Sequence, residues 1–225
     1  MTSISLSREA LKSGHMEELL KEAERRGIFK RTTPEERRES KRRILAQYAP
    51  DEDVWVFGYG SLMWNPAFHF AESAPGLLYG YHRQFCLWTP LGRGSPENPG
   101  LILGLEAGGS CRGLAYRLDR DAVDEELDIV WNREMIGGAY TPRVVPIRTP
   151  AGAVRAVTFV INRRHERYAG RLPLERMAQS IATAHGHLGR CCDYLFNTVT
   201  HLDELGITDG PLHDLERLVR ERVDD

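Results

Sequence analysis

Two stretches of the chain hold residue types that could do chemistry. The first centres on Glu134, seven residues past Leu127 in a segment whose apolar positions (Val123, Leu127, Val130, Trp131) recur at helical spacing. A helix over 121–134 places this carboxylate on its buried stripe, where a charge is costly unless partnered or used. The residue also falls in the last helical turn, just before Gly137-Gly138, where the helix dipole disfavours negative charge. Both effects raise its pKa, as a general acid/base working near neutrality requires. If the helix ends a turn earlier, Glu134 is instead an exposed terminal residue.

The second stretch is Gly58-Tyr59-Gly60-Ser61-Leu62, directly after the apolar run Val54-Trp55-Val56-Phe57. Alternating glycines let successive backbone N–H groups converge on an anion or a polarised carbonyl. The run is neither G-x-G-x-x-G nor a G-x-S-x-G nucleophile elbow, because Met63 follows Leu62. A plain strand-to-turn connection is the competing reading. Ser61 as a nucleophile would need a histidine base that no motif supplies. His185-Gly-His187 with Cys191 and Cys192 lacks zinc-ligand spacing, so no metal is expected.

The elements that must position these groups divide the chain near residue 50. All four lysines (Lys12, Lys21, Lys30, Lys41) precede residue 42. The body therefore has no lysine for a Schiff base or a P-loop, which excludes those chemistries. Residues 1–50 hold 12 basic and 8 acidic side chains and read as two helices. One is Ser7–Arg26, with Leu11, Met16, Leu19 and Leu20 apolar and Gly27 as stop. The other opens at Thr33-Pro34-Glu35-Glu36 as a capping box and runs to about Tyr48. Its arginines alternate with glutamates, a solvated face rather than a nucleic-acid surface.

From residue 51 to 225 strands come first: 54–57, 81–87, 101–106, 111–118, 143–148 and 154–161. Helices are expected over 121–134, 174–187, 188–205 and 212–223. This order predicts an α+β fold with a largely antiparallel or mixed, barrel-like sheet, flanked by helices and preceded by an N-terminal helical extension. Thr89–Gly100, with three prolines and three glycines, is a loop. Cys86 alternates with apolar neighbours and reads as core.

A chain of 225 residues with 41% hydrophobic residues and net charge −2 is neither disordered nor an overall basic nucleic-acid binder. No apolar run spans a membrane, and the polar start (Met1–Ser13) does not read as a signal peptide. Four cysteines without C-x-x-C spacing predict a cytoplasmic protein with reduced thiols.

Longer motifs carry a family resemblance. Val56-Phe-Gly-Tyr-Gly-Ser-Leu-Met-Trp-Asn-Pro-Ala-Phe68 resembles the opening signature of the ChaC-like γ-glutamylcyclotransferases. It is followed in order by Gly80-Tyr81, Arg83-Gln84-Phe85 and Gly113-Leu-Ala-Tyr-Arg117. Next come Arg133-Glu-Met-Ile-Gly-Gly-Ala-Tyr140, Tyr168-Ala-Gly170, Gly189-Arg190 and Asp193-Tyr194-Leu195. The resemblance covers residues 54–223.

It implies a compact barrel-like fold, no cofactor, and cleavage of a small-molecule γ-glutamyl peptide, above all glutathione, to 5-oxoproline and Cys-Gly. By position it implies Glu134 as acid/base and Val56, Phe57, Gly58, Tyr59, Gly60, Ser61 and Leu62 as the loop holding the γ-glutamyl group. Tyr140 is implied as a wall of that pocket. The substrate's own α-amine would attack its γ-carbonyl, so no protein nucleophile is required. Arg83 and Arg93, near the 89–100 loop, favour a substrate with a carboxylate on its leaving side, and that loop is a candidate lid. The family's older label, cation-transport regulator, implies an alternative, a non-catalytic regulator of a cation antiporter contacted through residues 1–50. A further alternative is the same chemistry on other γ-glutamyl amines or dipeptides.

Overall fold

A computed structural model describes residues 7–12 and 15–223. The polar start (Met1–Leu6, with Ser13) and the side chains of Met16 and Leu19 lie outside the described residues. Five strands close into a barrel: β1 (Trp55–Gly58), β2 (Glu72–Thr89), β3 (Gly100–Arg117), β4 (Tyr140–Thr149) and β5 (Gly152–Ile161), in the order β1-β3-β2-β4-β5. Neighbours are antiparallel except at the seam, where β1 runs parallel to β5 with Trp55 opposite Ala156. The α+β, barrel-like expectation is met.

Segment bounds differ in instructive places. The second strand starts nine residues before the expected Tyr81, because Pro75, Gly76 and Gly80 break the alternation that marks a strand, yet register with β3 holds from Glu72. What reads as two strands, 101–106 and 111–118, is the single strand β3. The helix expected over 174–187 stops at Thr183. His185–Gly186 and Gly189–Arg190 instead form a small hairpin, β6 and β7, whose turn is tied to the 89–100 loop: His187 N and Leu188 N donate to the carbonyls of Leu91 (3.3 Å) and Gly92 (2.8 Å). Tertiary hydrogen bonds override the local helical pattern there.

The helices are α1 (Arg8–Lys12), α2 (His15–Arg25), α3 (Pro34–Leu45), the one-turn α4 (Ser61–Trp64), α5 (Val123–Glu134), α6 (Leu174–Thr183), α7 (Cys191–Glu204) and α8 (Gly210–Val223). The capping box at α3 forms as its sequence predicts: Thr33 Oγ1 accepts from Glu36 N at 3.1 Å, and Thr33 N donates to Glu36 Oε2 at 2.7 Å.

The barrel interior and helices α6–α8 share one apolar core, and α5 seals the barrel's other side through Leu127, Val130 and Trp131. Trp131 meets Phe159 of β5 edge-to-face, 5.3 Å between ring centroids. The chain before residue 50 docks along α5 at three levels. Arg8 pairs with Glu126 and Glu125, Lys41 Nζ with Asp128 (2.6 Å) and Asp124 (2.8 Å), and Thr32 with the carbonyls that follow the helix. Lys41 is buried, so the face of α3 that reads as solvated in sequence is in part an interface.

Candidate active site

Alpha helix α5 ends on Glu134, as the stripe predicts, and the turn that follows contains Gly138 at φ +65°, a conformation glycine adopts without strain. The carboxylate lines a cavity of about 210 Å³. Only 16% of its side chain remains accessible, into that cavity, and burial pushes its pKa above the usual carboxylate range. Arg133 opposes that shift, with Nε 3.1 Å from Glu134 Oε1.

Arg133 ties the carboxylate to the glycine-rich run. Its Nη2 donates to Ser61 Oγ at 2.8 Å and its Nη1 to the carbonyl of Asn65. Tyr59, Gly60, Ser61 and Leu62 line the same cavity as Glu134 and Tyr140. The segment enters α4 at Ser61, and the first N–H groups of a helical turn have no partner within the turn. Gly60 lies close to the facing wall: a Cβ there would stand 3.0 Å from the Tyr194 hydroxyl.

Of the run Val56–Leu62, the first three residues are not in the cavity wall. Val56, Phe57 and Gly58 belong to β1, with both side chains fully buried and backbones registered against β3. A strand whose two faces are covered offers no ligand surface, so the accessible part of the run is Tyr59–Leu62. Tyr140 does face the cavity and donates its hydroxyl to the carbonyl of Leu103 at 2.7 Å; the Tyr59 hydroxyl donates to that of Phe159 at 2.9 Å. Burial holds both phenols well above the usual range, hence protonated.

Several wall residues were given no site role from sequence. Tyr194, from α7, has its phenol pushed up to about 12 by burial and by Glu134. Arg133 and Tyr194 both fall inside the quoted motifs, but nothing in their spacing told them from core residues. Arg167 and Phe29 reach the wall from the segment after β5 and from the stretch between α2 and α3. Arg93 lines the cavity, as do Leu91 and Gly92 of the 89–100 loop. Arg83 does not: it pairs with Asp209 (3.0 Å) and donates to the Tyr59 carbonyl from behind the wall (2.8 Å). His187 lines the cavity, whereas Cys191 and Cys192 are buried in α7.

The model of the ChaC-like protein family matches residues 54–222. The chain is 45% identical over 168 residues to the glutathione-specific γ-glutamylcyclotransferase of Escherichia coli (strain K12), an alignment covering 74% of this chain and 73% of that one. Identity to glutathione-specific γ-glutamylcyclotransferase 1 of Homo sapiens is 30% over 158 residues, 68% of this chain and 71% of that one. In fold, the chain is similar to a crystal structure of a glutathione-specific γ-glutamyl cyclotransferase from yeast, with a TM-score of 0.70 at 20% identity, covering 76% of this chain and 97% of the other. The chain thus belongs to the ChaC-like family.

Proposed function

We propose that this protein is a γ-glutamylcyclotransferase that cleaves glutathione to 5-oxoproline and Cys-Gly, with residues 51–225 as the catalytic unit and residues 1–50 as a helical extension docked on it. The observation that carries the reading is a buried carboxylate of raised pKa, Glu134, in one cavity with the Tyr59–Leu62 turn.

The substrate folds so that its α-amine lies about 3–3.5 Å from its own γ-carbonyl carbon, and most of the acceleration comes from holding that geometry. Gly60, Ser61 and Leu62 bind the glutamyl part through backbone amides and oppose the charge that develops on the carbonyl oxygen. The neutral amine nitrogen bonds to the carbonyl carbon, and Glu134, as carboxylate, takes its proton. The carbon–nitrogen bond to cysteine then breaks as Glu134 returns that proton to the leaving nitrogen. One carboxyl serves both directions because burial raises its pKa above the usual carboxylate range. The lactam closes with no water added, which makes the enzyme a lyase.

The buried phenols of Tyr59, Tyr140 and Tyr194 stay neutral through this cycle and shape the wall around the glutamyl chain. A cytoplasmic setting fits the four cysteines, all free thiols buried in the fold, and the reduced thiol of the substrate. Among the described residues no helix is long and apolar enough to cross a membrane.

Incubating the purified protein with glutathione and following 5-oxoproline and Cys-Gly by mass, with Glu134→Gln in parallel, tests the reading. Turnover by the wild type alone is expected. Cleavage of γ-glutamyl dipeptides but not glutathione would leave the chemistry standing and replace the substrate.

A further inference from the structure

The family match begins at residue 54, yet the cavity wall is completed by Phe29 and Leu20, from the chain before it. The stretch between α2 and α3 is strapped onto the turn that follows Glu134: Thr32 N donates to the Ile136 carbonyl at 2.9 Å and Thr32 Oγ1 to the Met135 carbonyl at 2.8 Å. Arg37 Nη1 in turn holds the Thr32 carbonyl at 2.6 Å. Phe29 is thereby fixed against the cavity, 8% exposed, and Arg167 lays its guanidinium over the ring, 4.8 Å from the centroid. Gly137 packs against both partners, since a Cβ there would come within 2.5 Å of Arg167 Nη2 and 2.7 Å of Phe29 Cζ.

Besides Arg133, which is paired with Glu134, two guanidiniums line this cavity, Arg93 and Arg167, and among the described residues no ion pair joins either to a carboxylate. Arg93 Nη1 is engaged by the Arg190 carbonyl at 3.1 Å. Arg167 Nη1 makes a longer, 3.4 Å contact with the Trp88 carbonyl, and burial lowers the pKa of both guanidiniums. A contact with a ring takes up none of a guanidinium's N–H donors, so they stay available for a carboxylate, which the planar fork can hold in bidentate fashion.

We propose that Arg167, held in place by Phe29, is the subsite that receives the terminal carboxylate of the leaving dipeptide, so that the N-terminal extension helps set substrate specificity. Phe29 is a positioning residue acting through Arg167. The proposal rests on the cyclotransferase reading. It adds to that reading a substrate requirement, a carboxylate on the far side of the scissile bond, and assigns this to residues partly outside the family-matched region.

The test compares glutathione with its glycine monoethyl ester on full-length wild type, Arg167→Met, Arg93→Met, Phe29→Leu and Phe29→Tyr, separating kcat from KM. Wild type is expected to prefer glutathione by about tenfold to a hundredfold in kcat/KM, mostly through KM, the range of one charge-assisted hydrogen-bonded contact. Arg167→Met should bring the two substrates level, chiefly by raising KM for glutathione. Phe29→Leu keeps apolar bulk but loses the ring, and should erode the preference; Phe29→Tyr should restore it. Arg93→Met should keep the preference. A purely structural role for Phe29 or Arg167 would slow both substrates in equal proportion, and that result overturns the proposal. So does a wild type indifferent to the ester, or a preference abolished by Arg93→Met and not by Arg167→Met. A wild type that cleaves neither substrate removes the cyclotransferase reading itself, an outcome distinct from all of these.

Discussion

Arg133 donates from Nη2 to Ser61 Oγ at 2.8 Å while its Nε stands 3.1 Å from Glu134 Oε1, so one guanidinium fixes the distance between the glycine-rich turn and the carboxylate. Neighbouring residues on a helix do not ordinarily face one another. Here the pair sits at the end of α5, where both side chains turn toward the cavity. In the proposed reaction this joins proton transfer and carbonyl binding mechanically.

Replacing Glu134 with Gln keeps the shape and removes the proton acceptor. Turnover is expected to fall by about 10²–10⁴-fold with the fold intact and the substrate still bound. Steady-state product formation beside a ligand-induced shift in melting temperature measures both; activity within tenfold of wild type would remove Glu134 from the mechanism.

The same substitution has an opposite effect on stability. Burial raises the folded-state pKa of Glu134 above its unfolded value, so its ionisation costs stability that is fully present below the unfolded pKa and lost as pH rises through the folded one. Glu134→Gln should therefore melt higher than wild type at pH 7, and the gap should close on acidification below the ordinary carboxylate range. Melting curves across that range decide it; a variant that melts lower at pH 7 contradicts the burial argument.

Arg133→Met removes the cation that pulls the Glu134 pKa down. The acid limb of kcat/KM, which reports formation of the carboxylate, should move to higher pH. KM should rise as well, because Ser61 and the Asn65 carbonyl lose their tether. An unchanged acid limb would mean that Arg133 only braces the turn.

Gly60→Ala presses a methyl group to 3.0 Å from the Tyr194 hydroxyl and 3.4 Å from Leu103 Cδ1. A drop in kcat/KM is expected. Tyr194→Phe added to it should recover part of the loss, because the closer contact is with an oxygen that Phe lacks. The coupling read from single and double variants is the measure, and strict additivity would place the defect elsewhere.

A chelator should leave turnover unchanged. His187 is in the cavity wall, but Cys191 donates its thiol to the Leu101 carbonyl at 3.1 Å from inside the core, away from a ligand role. Loss of activity with EDTA, restored by a divalent ion, would overturn this.

Much of this site was legible in the sequence because the relevant signals are local. Glu134 declares itself through helical spacing, and Thr33 through a capping box three residues long. The glycine-rich run reads as a ligand turn, but where the strand gives way to the turn depends on pairing with β3, whose partner residues lie about sixty positions away in the chain. Hence Val56, Phe57 and Gly58 proved to be core. Arg83 shows the same limit: its nearness in sequence to the 89–100 loop says nothing about Asp209, the partner that keeps it out of the cavity. Phe29 was the least accessible of all, since an aromatic between two polar helices acquires meaning only once those helices dock on α5.

The parallel seam at which Trp55 meets Ala156 joins points about a hundred residues apart. The two hairpins, β2–β3 and β4–β5, can zip locally, whereas the seam requires closing a long loop before any contact rewards it, which is entropically the later event. Tyr59 follows directly on β1 and bonds across the seam to Phe159, and α5 rests on the strands at that junction. Refolding chains should therefore regain secondary structure ahead of activity, with no half-working intermediate: the cavity beside Glu134 comes into being only when the ring shuts.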